Sequence, residues 1–371
     1  MSRWRGSAGW VLAAAGWLAG CGGGGPPLLK SGEVLATLPA GVAALGAGGR
    51  VIVLRDAPDG ALHASIYEGT PGPAWAAARE VTLEAAPAAA APAAVVPPAS
   101  APAAGAPAPS AAPVAPPRRT ARLSPDGTRA LVVSATAAGL RAGAVAFDLY
   151  DTGTGKRLGG FSAGGNLIAW EAAPDLSMVV LVTGDRVQHR AMPGGEVRWE
   201  VEAALERDVL LADGTRKKIP GEASIATSMG SLVVVPPPTS GPSPLRVLKV
   251  GAGEEPEAPR YVGEPPCAIS ADGTFLAARV GDDIQIYDVT VGKLLYTLVR
   301  AALNEPTAIR FFPGGRELLV ERRSSAPAAY DWRSGEEVAV LDAGTHGLVI
   351  SPEGDRILAA TDDALRLYRV R

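Results

Sequence analysis

The sequence predicts an all-β fold built from repeated four-stranded units, and three observations support this. A Pro/Asp-Gly turn recurs ahead of a β-type run, as in Ser124-Pro125-Asp126-Gly127 and Ser351-Pro352-Glu353-Gly354. A Tyr-Asp turn keeps its spacing in "YDTGTGK", "YDVTVGK" and "YDWRSGE", which begin at Tyr150, Tyr287 and Tyr330. The units recur at intervals of roughly forty residues, and four short strands per interval are typical of a β-propeller blade.

Each turn has a chemical basis. An aspartate side chain accepts hydrogen bonds from the backbone two residues on, and glycine supplies a positive φ at no steric cost. A chain with these residues reverses direction within a few positions and joins neighbouring strands of one sheet. We therefore expect each unit to be an antiparallel sheet.

The repeat divides the chain from residue 32 to residue 371 into seven predicted blades. They cover 41–84, 118–162, 166–203, 222–264, 265–301, 306–344, and 345–371 together with 32–38. Two of these units match the pattern poorly, so six or eight blades stay open as alternatives.

The last unit ends after three strands, and we expect its fourth strand to come from the start of the chain. The segment "KSGEVLATL" (30–38) matches "RSGEEVAVL" (333–341), which supplies a turn and a fourth strand elsewhere. Pairing of this N-terminal strand into the last blade would close the ring and remove two open sheet edges.

Two insertions interrupt the blades. Residues 85–117 are almost entirely Ala and Pro, a composition that predicts a disordered loop, and 204–221 form a second loop insertion. Both join the fourth strand of one blade to the first strand of the next. We therefore expect both to leave the ring on one face, while the N-terminal segment enters on the other.

The first twenty residues have the pattern of a secretory signal peptide. Arg3 and Arg5 precede an apolar run, Trp10 to Leu18, which is too short to span a bilayer as a helix. The end of this run, "LAGC" at 18–21, resembles the lipobox of bacterial lipoproteins. An ordinary signal peptide with a coincidental cysteine is the alternative.

The lipoprotein resemblance implies a site and a location. In that family the peptide is cut before the cysteine, here between Gly20 and Cys21, and the cysteine carries diacylglycerol and acyl chains. Residues 1–20 would then be the signal peptide and 21–31 a lipidated Gly-rich tether to the bilayer. Gly22 follows where members kept in the inner membrane often carry Asp, so the resemblance favours the outer membrane, facing the periplasm.

The repeat lines also resemble the WD-repeat-like and Tol-type propeller families. Blades of those families carry an "SPDG" turn and a "YD…tGk" turn, as the lines quoted above do. The full Gly-His…Trp-Asp signature is absent, so the resemblance is to a divergent, bacterial-style propeller.

Composition narrows the function classes. The chain has 35 Lys and Arg against 38 Asp and Glu, a formal net charge of −3, with no long run of one sign, so we expect no nucleic-acid partner. Cysteine occurs at two positions. With Cys21 lipidated, Cys267 has no disulfide partner within the chain and is expected to be a small core residue.

No catalytic residue or metal site is predicted. His63, His189 and His346 fall in strands of different blades and lack ligand spacing. Gly160 to Gly164 match G-x-S-x-G, but no helical pattern follows, as a hydrolase elbow would need. The acidic turn residues Asp126, Asp272, Asp282 and Asp283 are turn formers first, with calcium binding as the alternative, and no cofactor is expected beyond the lipid on Cys21.

Two features are candidate partner contacts. The basic cluster Arg216, Lys217 and Lys218 lies in the second insertion, and Trp332 lies in a hairpin turn that we expect to be exposed. The alternatives are a solvated loop for the cluster and blade packing for the tryptophan.

Two functions fit these observations. The first is a non-enzymatic, membrane-anchored propeller scaffold that presents loops to an unknown envelope protein. The second is a propeller enzyme, of the quinoprotein-dehydrogenase or lactonase type, acting on a small molecule in the periplasm. The inner-strand polar residues Arg122, Asn166, Glu171, Thr345 and His346 read as scattered. Three or more carboxylate, histidine or arginine groups converging in the axial channel would favour the enzyme.

Overall fold

The structure is a computed structural model, and part of the chain is described. The described residues are 33–57, 61–72, 75–85, 118–135, 143–164, 166–202, 205–210, 214–220, 222–226, 231–235, 243–249 and 261–370. Within them the regular structure is β-strand, with one short 3-10 turn at Ala47–Gly49.

The first half of the described chain forms three four-stranded antiparallel sheets after an initial strand, β1 (Glu33–Pro39). The first sheet contains β2 (Val42–Leu45), β3 (Val51–Asp56), β4 (Leu62–Tyr67) and β5 (Arg79–Leu83). The second contains β6 (Arg118–Leu123), β7 (Arg129–Ala135), β8 (Val145–Asp151) and β9 (Arg157–Ala163). The third contains β10 (Leu167–Ala172), β11 (Met178–Thr183), β12 (Arg186–Ala191) and β13 (Val197–Glu202).

A hairpin and three further sheets follow. The hairpin pairs β14 (Glu206–Leu210) with β15 (Arg216–Pro220). A seven-stranded sheet contains β16 (Glu222–Ala226), β17 (Ser231–Val235), β18 (Ser243–Lys249), β19 (Tyr261–Ile269), β20 (Phe275–Val280), β21 (Asp283–Asp288) and β22 (Lys293–Leu298). The next sheet contains β23 (Pro306–Phe311), β24 (Glu317–Arg322), β25 (Ala328–Asp331) and β26 (Glu336–Val340). The closing sheet contains β27 (His346–Ile350), β28 (Arg356–Ala360) and β29 (Ala364–Arg369), joined by β1.

The fold is an all-β propeller, as the repeat predicts. Within the described residues it has six propeller sheets, so the expected count of seven separate blades is not supported and the alternative of six is the observed one. The difference lies at the boundary expected between residues 264 and 265. There β19 is one strand with a register shift between Glu264 and Cys267: its first part pairs with β18 and its second part with β20, which merges two expected blades into one sheet.

The ring closes as the sequence predicts. Strand β1 pairs antiparallel with β29, from Glu33 opposite Arg369 to Pro39 opposite Ala364. The pairing supplies the outer strand of the last sheet, whose order is β1-β29-β28-β27. Leu38 of β1 is 1 % exposed, so the closing strand is also part of the hydrophobic core.

Apolar clusters fill the spaces between neighbouring sheets. Ile52 and Leu54 of the first sheet pack in one cluster with Val132 of the second. Across the closure, Leu38 packs in one cluster with Leu367 and with Val53 of the first sheet. Burial of each such side chain contributes about 1.5–3 kcal/mol, and every sheet depends on its neighbours for this burial.

The second insertion has regular structure that the sequence did not predict. Residues expected to form a loop contain the two-stranded hairpin of β14 and β15, between β13 and β16. The first insertion leaves after β5 and returns at β6, and residues 86–117 lie outside the described residues. The fourth strands of the sheets all run in the same direction, from one face of the ring to the other. Strands β5 and β13 therefore end on the face opposite to the one where β1 begins.

We expect the closing strand to be needed for stability. Leu38→Ala removes a buried side chain between two sheets and should lower the free energy of unfolding by about 2–5 kcal/mol. Val34→Ala on the same strand should change it by about 0.5 kcal/mol or less, because Val34 is 43 % exposed. Urea unfolding followed by circular dichroism measures both. Equal effects of the two substitutions would show that β1 is not packed as described.

Candidate functional site

The inner strands of the sheets surround a central cavity of about 880 Å³. Strands β2, β6, β10, β16, β19, β23 and β27 all contribute lining residues. Most of the lining is small or aliphatic. Of its four charged residues, three lie at one level of the channel, and the fourth is Arg119. The cavity has the size of small-molecule sites in proteins, which are largely apolar with a few placed polar groups.

Three charged residues reach that level because they hold the same position in three inner strands. Arg122, Glu171 and Arg310 each stand two residues before the turn that joins the first strand of a unit to its second. The turns begin at Ser124, Ala173 and Phe312, whose backbone N–H groups each donate to the carbonyl five residues on. Arg122 and Glu171, which the sequence analysis read as scattered, therefore lie at equivalent places on the channel wall, together with Arg310, which the sequence analysis missed.

Arg122 and Glu171 form an ion pair between neighbouring inner strands. Arg122 Nε donates to Glu171 Oε1 at 3.0 Å, and Nη2 donates to Oε2 at 3.1 Å, which is a bidentate arrangement. Nη1 donates to the carbonyl of Ala121 at 3.3 Å, and the guanidinium lies 5.2 Å from the ring centre of Trp170. The Glu171 carboxylate raises the pKa of Arg122. All three nitrogens of this guanidinium thus bond within the protein.

Arg310 is held in a different way. Its Nε donates to Glu321 Oε1 at 3.2 Å, and the Glu321 side chain is 9 % exposed while that of Arg310 is 44 % exposed. With Arg119, which also lines the cavity and pairs with Asp56, four groups of the kinds that would favour an enzyme line the channel. Each of the three arginines, however, is paired with a carboxylate.

The other inner-strand candidates do not join this level. Thr345 is buried, and its hydroxyl donates to the carbonyl of Asp342 at 2.8 Å. His346 is exposed at the start of β27, with Nδ1 3.4 Å from the carbonyl oxygen of Gly344. Asn166 lies just before β10 and has a positive φ of 36°. Of the polar inner-strand residues, Arg122 and Glu171 therefore belong to the charged level, whereas Thr345, His346 and Asn166 lie outside it.

The histidines and the G-x-S-x-G segment lie as the sequence predicts. His63 lies on β4 and His189 on β12, in different sheets, and burial lowers the pKa of His189. Ser162 lies on β9, and the chain continues to strand β10. Ser162 lines a second cavity, of about 1090 Å³, between the first and second sheets, together with the ion pair of Asp148 and Arg157 at 2.8 Å.

Trp332 corrects an expectation. It is 4 % exposed, although its turn reads as an exposed hairpin. Its Nε1 donates to the carbonyl of Gly315 at 2.7 Å, its ring centre lies 5.2 Å from that of Phe275, and the Arg333 guanidinium lies 5.2 Å from its ring centre. The tryptophan packs between sheets, which was the alternative, and its surface is covered.

The remaining predicted site residues are only partly described. Gly20 and Cys21 lie outside the described residues. Arg216 is exposed at the start of β15, and Lys217 and Lys218 follow on the same strand, with side chains outside the described part. Cys267 lies on β19, half-buried, where it packs against the core cluster of Ile269 and Leu276 and lines the central cavity.

The acidic turn residues act in the turns themselves. Asp126 Oδ1 accepts a hydrogen bond from the Ser124 hydroxyl at 2.6 Å and from the Thr128 N–H at 3.1 Å, and these bonds lower its pKa to about 2. Asp272 accepts equivalent bonds from Ser270 at 2.5 Å and from Thr274 at 3.0 Å. The same turn chemistry therefore recurs in two sheets.

The described residues contain no metal-ligand cluster, and the sequence has no match among known families. Within the described part of the chain, no three His, Cys, Asp or Glu side chains are grouped so that they could hold a metal ion. The same residues contain no helix of the length and apolarity needed to cross a bilayer. No protein-family model matches the sequence, and a search of curated proteins finds no match.

The Asp126 turn should make stability depend on pH. Its folded pKa, about 2, lies below the ordinary value, so its contribution is complete above about pH 4 and is lost as the pH falls towards 2. In the Asp126→Asn variant, the free energy of unfolding should fall less steeply with decreasing pH over that interval, because the titrating carboxylate is gone. Ser124→Ala should raise the Asp126 pKa because it removes the donor with the largest effect. Carboxyl ¹³C NMR titration gives the midpoint directly, and a wild-type midpoint near the ordinary value of about 4 would refute this account.

Proposed function

We propose that the protein is a lipid-anchored lipoprotein of the bacterial cell envelope whose propeller presents loops to a protein partner without catalysing a reaction. The observation that supports this best is the closure of the ring by β1. This strand begins on one face of the ring, and both insertions leave from the opposite face. A chain held before β1 would therefore direct its insertions away from the point of attachment.

The proposed attachment is Cys21, cleaved after Gly20 and carrying diacylglycerol and acyl chains. One acyl chain binds a membrane only reversibly, whereas two or more give stable anchoring. From Cys21 to Glu33 the chain can span at most about 40 Å when extended. The propeller would thus stay close to the bilayer, on the periplasmic side of the outer membrane in this proposal.

The proposed partner contact is the hairpin of β14 and β15. It is an addition to the ring, since it forms a separate two-stranded sheet between β13 and β16. It carries Arg216, Lys217 and Lys218 in succession, which fits a partner with an acidic surface. Trp332 is not part of the proposed contact because it is buried.

A propeller enzyme acting on a small periplasmic molecule is the second candidate. The observation in its favour is the charged level of the central channel, where Arg122, Glu171 and Arg310 line one cavity. The ion pairs described above satisfy much of this charge within the protein, and for that reason we favour the scaffold.

The lipid anchor can be tested by metabolic labelling with an alkyne fatty acid in a bacterial host. Wild-type protein should carry the label and sediment with membranes, and Cys21→Ala should lose the label and leave the membrane fraction. Cys267→Ala is the matched control and should keep both properties. Labelling that persists in the Cys21→Ala variant would exclude Cys21 as the modified residue.

The partner contact can be tested by crosslinking in envelope membranes. Wild type should crosslink to a partner protein. A variant with the hairpin charges reversed, Arg216→Glu with Lys217→Glu and Lys218→Glu, should not form that crosslink. The control reverses two exposed arginines away from the hairpin, Arg300→Glu with Arg323→Glu, and should leave the crosslink in place. An identical crosslink pattern for wild type and the hairpin variant would refute the proposed contact.

A further inference from the structure

The guanidinium of Arg310 has donors that the protein does not use. Within the described residues, its hydrogen bonding is limited to the bond from Nε to Glu321 Oε1, at 3.2 Å. Glu321 is nearly buried and lies on β24, so it fixes the base of the guanidinium against the sheet. The Nη1 and Nη2 groups stay without a partner among those residues, on a side chain that lines the central cavity and is 44 % exposed.

Arg122 provides the comparison at the same level of the channel. Its Nε and Nη2 bind Glu171, and its Nη1 binds the backbone carbonyl of Ala121. Each of its three nitrogens already has a partner, its charge is paired with the Glu171 carboxylate, and its guanidinium lies against the Trp170 ring. Of the two arginines, Arg310 is therefore the one equipped to bind something in the channel.

The free side of a guanidinium is chemically selective. Nη1 and Nη2 present parallel N–H groups that match the two oxygens of a carboxylate, and such bidentate, charge-assisted bonds are among the stronger hydrogen bonds in proteins. Thr307, on the same strand, lines the same cavity and lies at a β-bulge between Pro306 and Ala308. Bulges redirect side chains and are frequent next to functional sites.

The rest of the cavity fits a small apolar body. Half-buried aliphatic residues line it, among them Ala308, Ile225 and Val349. The volume, about 880 Å³, lies within the range of small-molecule sites. The chemistry of the cavity is therefore one strong carboxylate anchor on a mainly aliphatic wall.

We propose that the central channel binds a small carboxylic acid, with its carboxylate on Nη1 and Nη2 of Arg310 and its apolar part against the aliphatic wall. This site is separate from the proposed lipid anchor and from the proposed hairpin contact. It requires binding only, and does not depend on either of those proposals.

The test uses hexanoate as the probe and hexanamide as its neutral match, with binding to the full-length protein measured by ligand-observed NMR. Hexanoate should bind saturably, and hexanamide should bind at least about tenfold more weakly because it lacks the charge that the guanidinium recognises. Equal affinities of the two probes, or the absence of saturable hexanoate binding, would overturn the proposal.

A double variant tests the residue. Arg310→Gln with Glu321→Gln removes the anchor without leaving a buried carboxylate unpaired, and should weaken hexanoate binding at least about tenfold. The control, Arg323→Gln with Glu305→Gln, makes the same change at an exposed ion pair and should bind hexanoate as wild type does. Urea unfolding of both variants verifies that they are folded. Wild-type affinity in a folded Arg310 double variant would overturn the assignment.

Discussion

The structure depends on one constraint, which is that each sheet covers the apolar face of the next. The clusters between sheets draw their side chains from both neighbours, as Leu54 and Val132 show between the first two sheets. A ring built in this way has no sheet that is complete alone. At the junction where β1 pairs with β29, β1 contributes both the outer strand of the last sheet and Leu38 to the core.

The same ring geometry places the charges in the channel. A residue two positions before the first turn of a unit lies at the same level whichever strand it belongs to, so Arg122, Glu171 and Arg310 line one cavity although the sequence separates them widely. Charges brought into a channel of low polarity are costly unless they are paired, and two ion pairs meet that need. One guanidinium pairs through Nε alone and keeps its remaining donors in the cavity, which gives the channel its chemical asymmetry.

Much of the fold could be predicted because turn chemistry is local. The Asp and Gly residues of each turn act on their own backbone, and the match between 30–38 and 333–341 identified the closing strand. The joining of two sheets at β19 was not predicted because the strand continues from Tyr261 to Ile269 through Pro265 and Pro266, and proline in a sequence argues against a continuous strand. The prediction that Trp332 is exposed was wrong because only the rest of its turn is exposed. The tryptophan ring packs inward, where its Nε1 donates to the Gly315 carbonyl. The Arg122–Glu171 ion pair could not be predicted, because the sequence does not show that β6 and β10 lie side by side with these two residues at the same level.

The pairing of β1 with β29 also determines when the ring can close during synthesis. Glu33 and Arg369 form a hydrogen bond although 336 positions separate them in the chain. During synthesis β1 emerges long before β29. Contacts of such separation form slowly because the loop between them must first be ordered, and a waiting strand presents unpaired backbone groups. Between the synthesis of β1 and the synthesis of β29 the closing strand therefore has no native partner, and the ring can close only once β29 has been made.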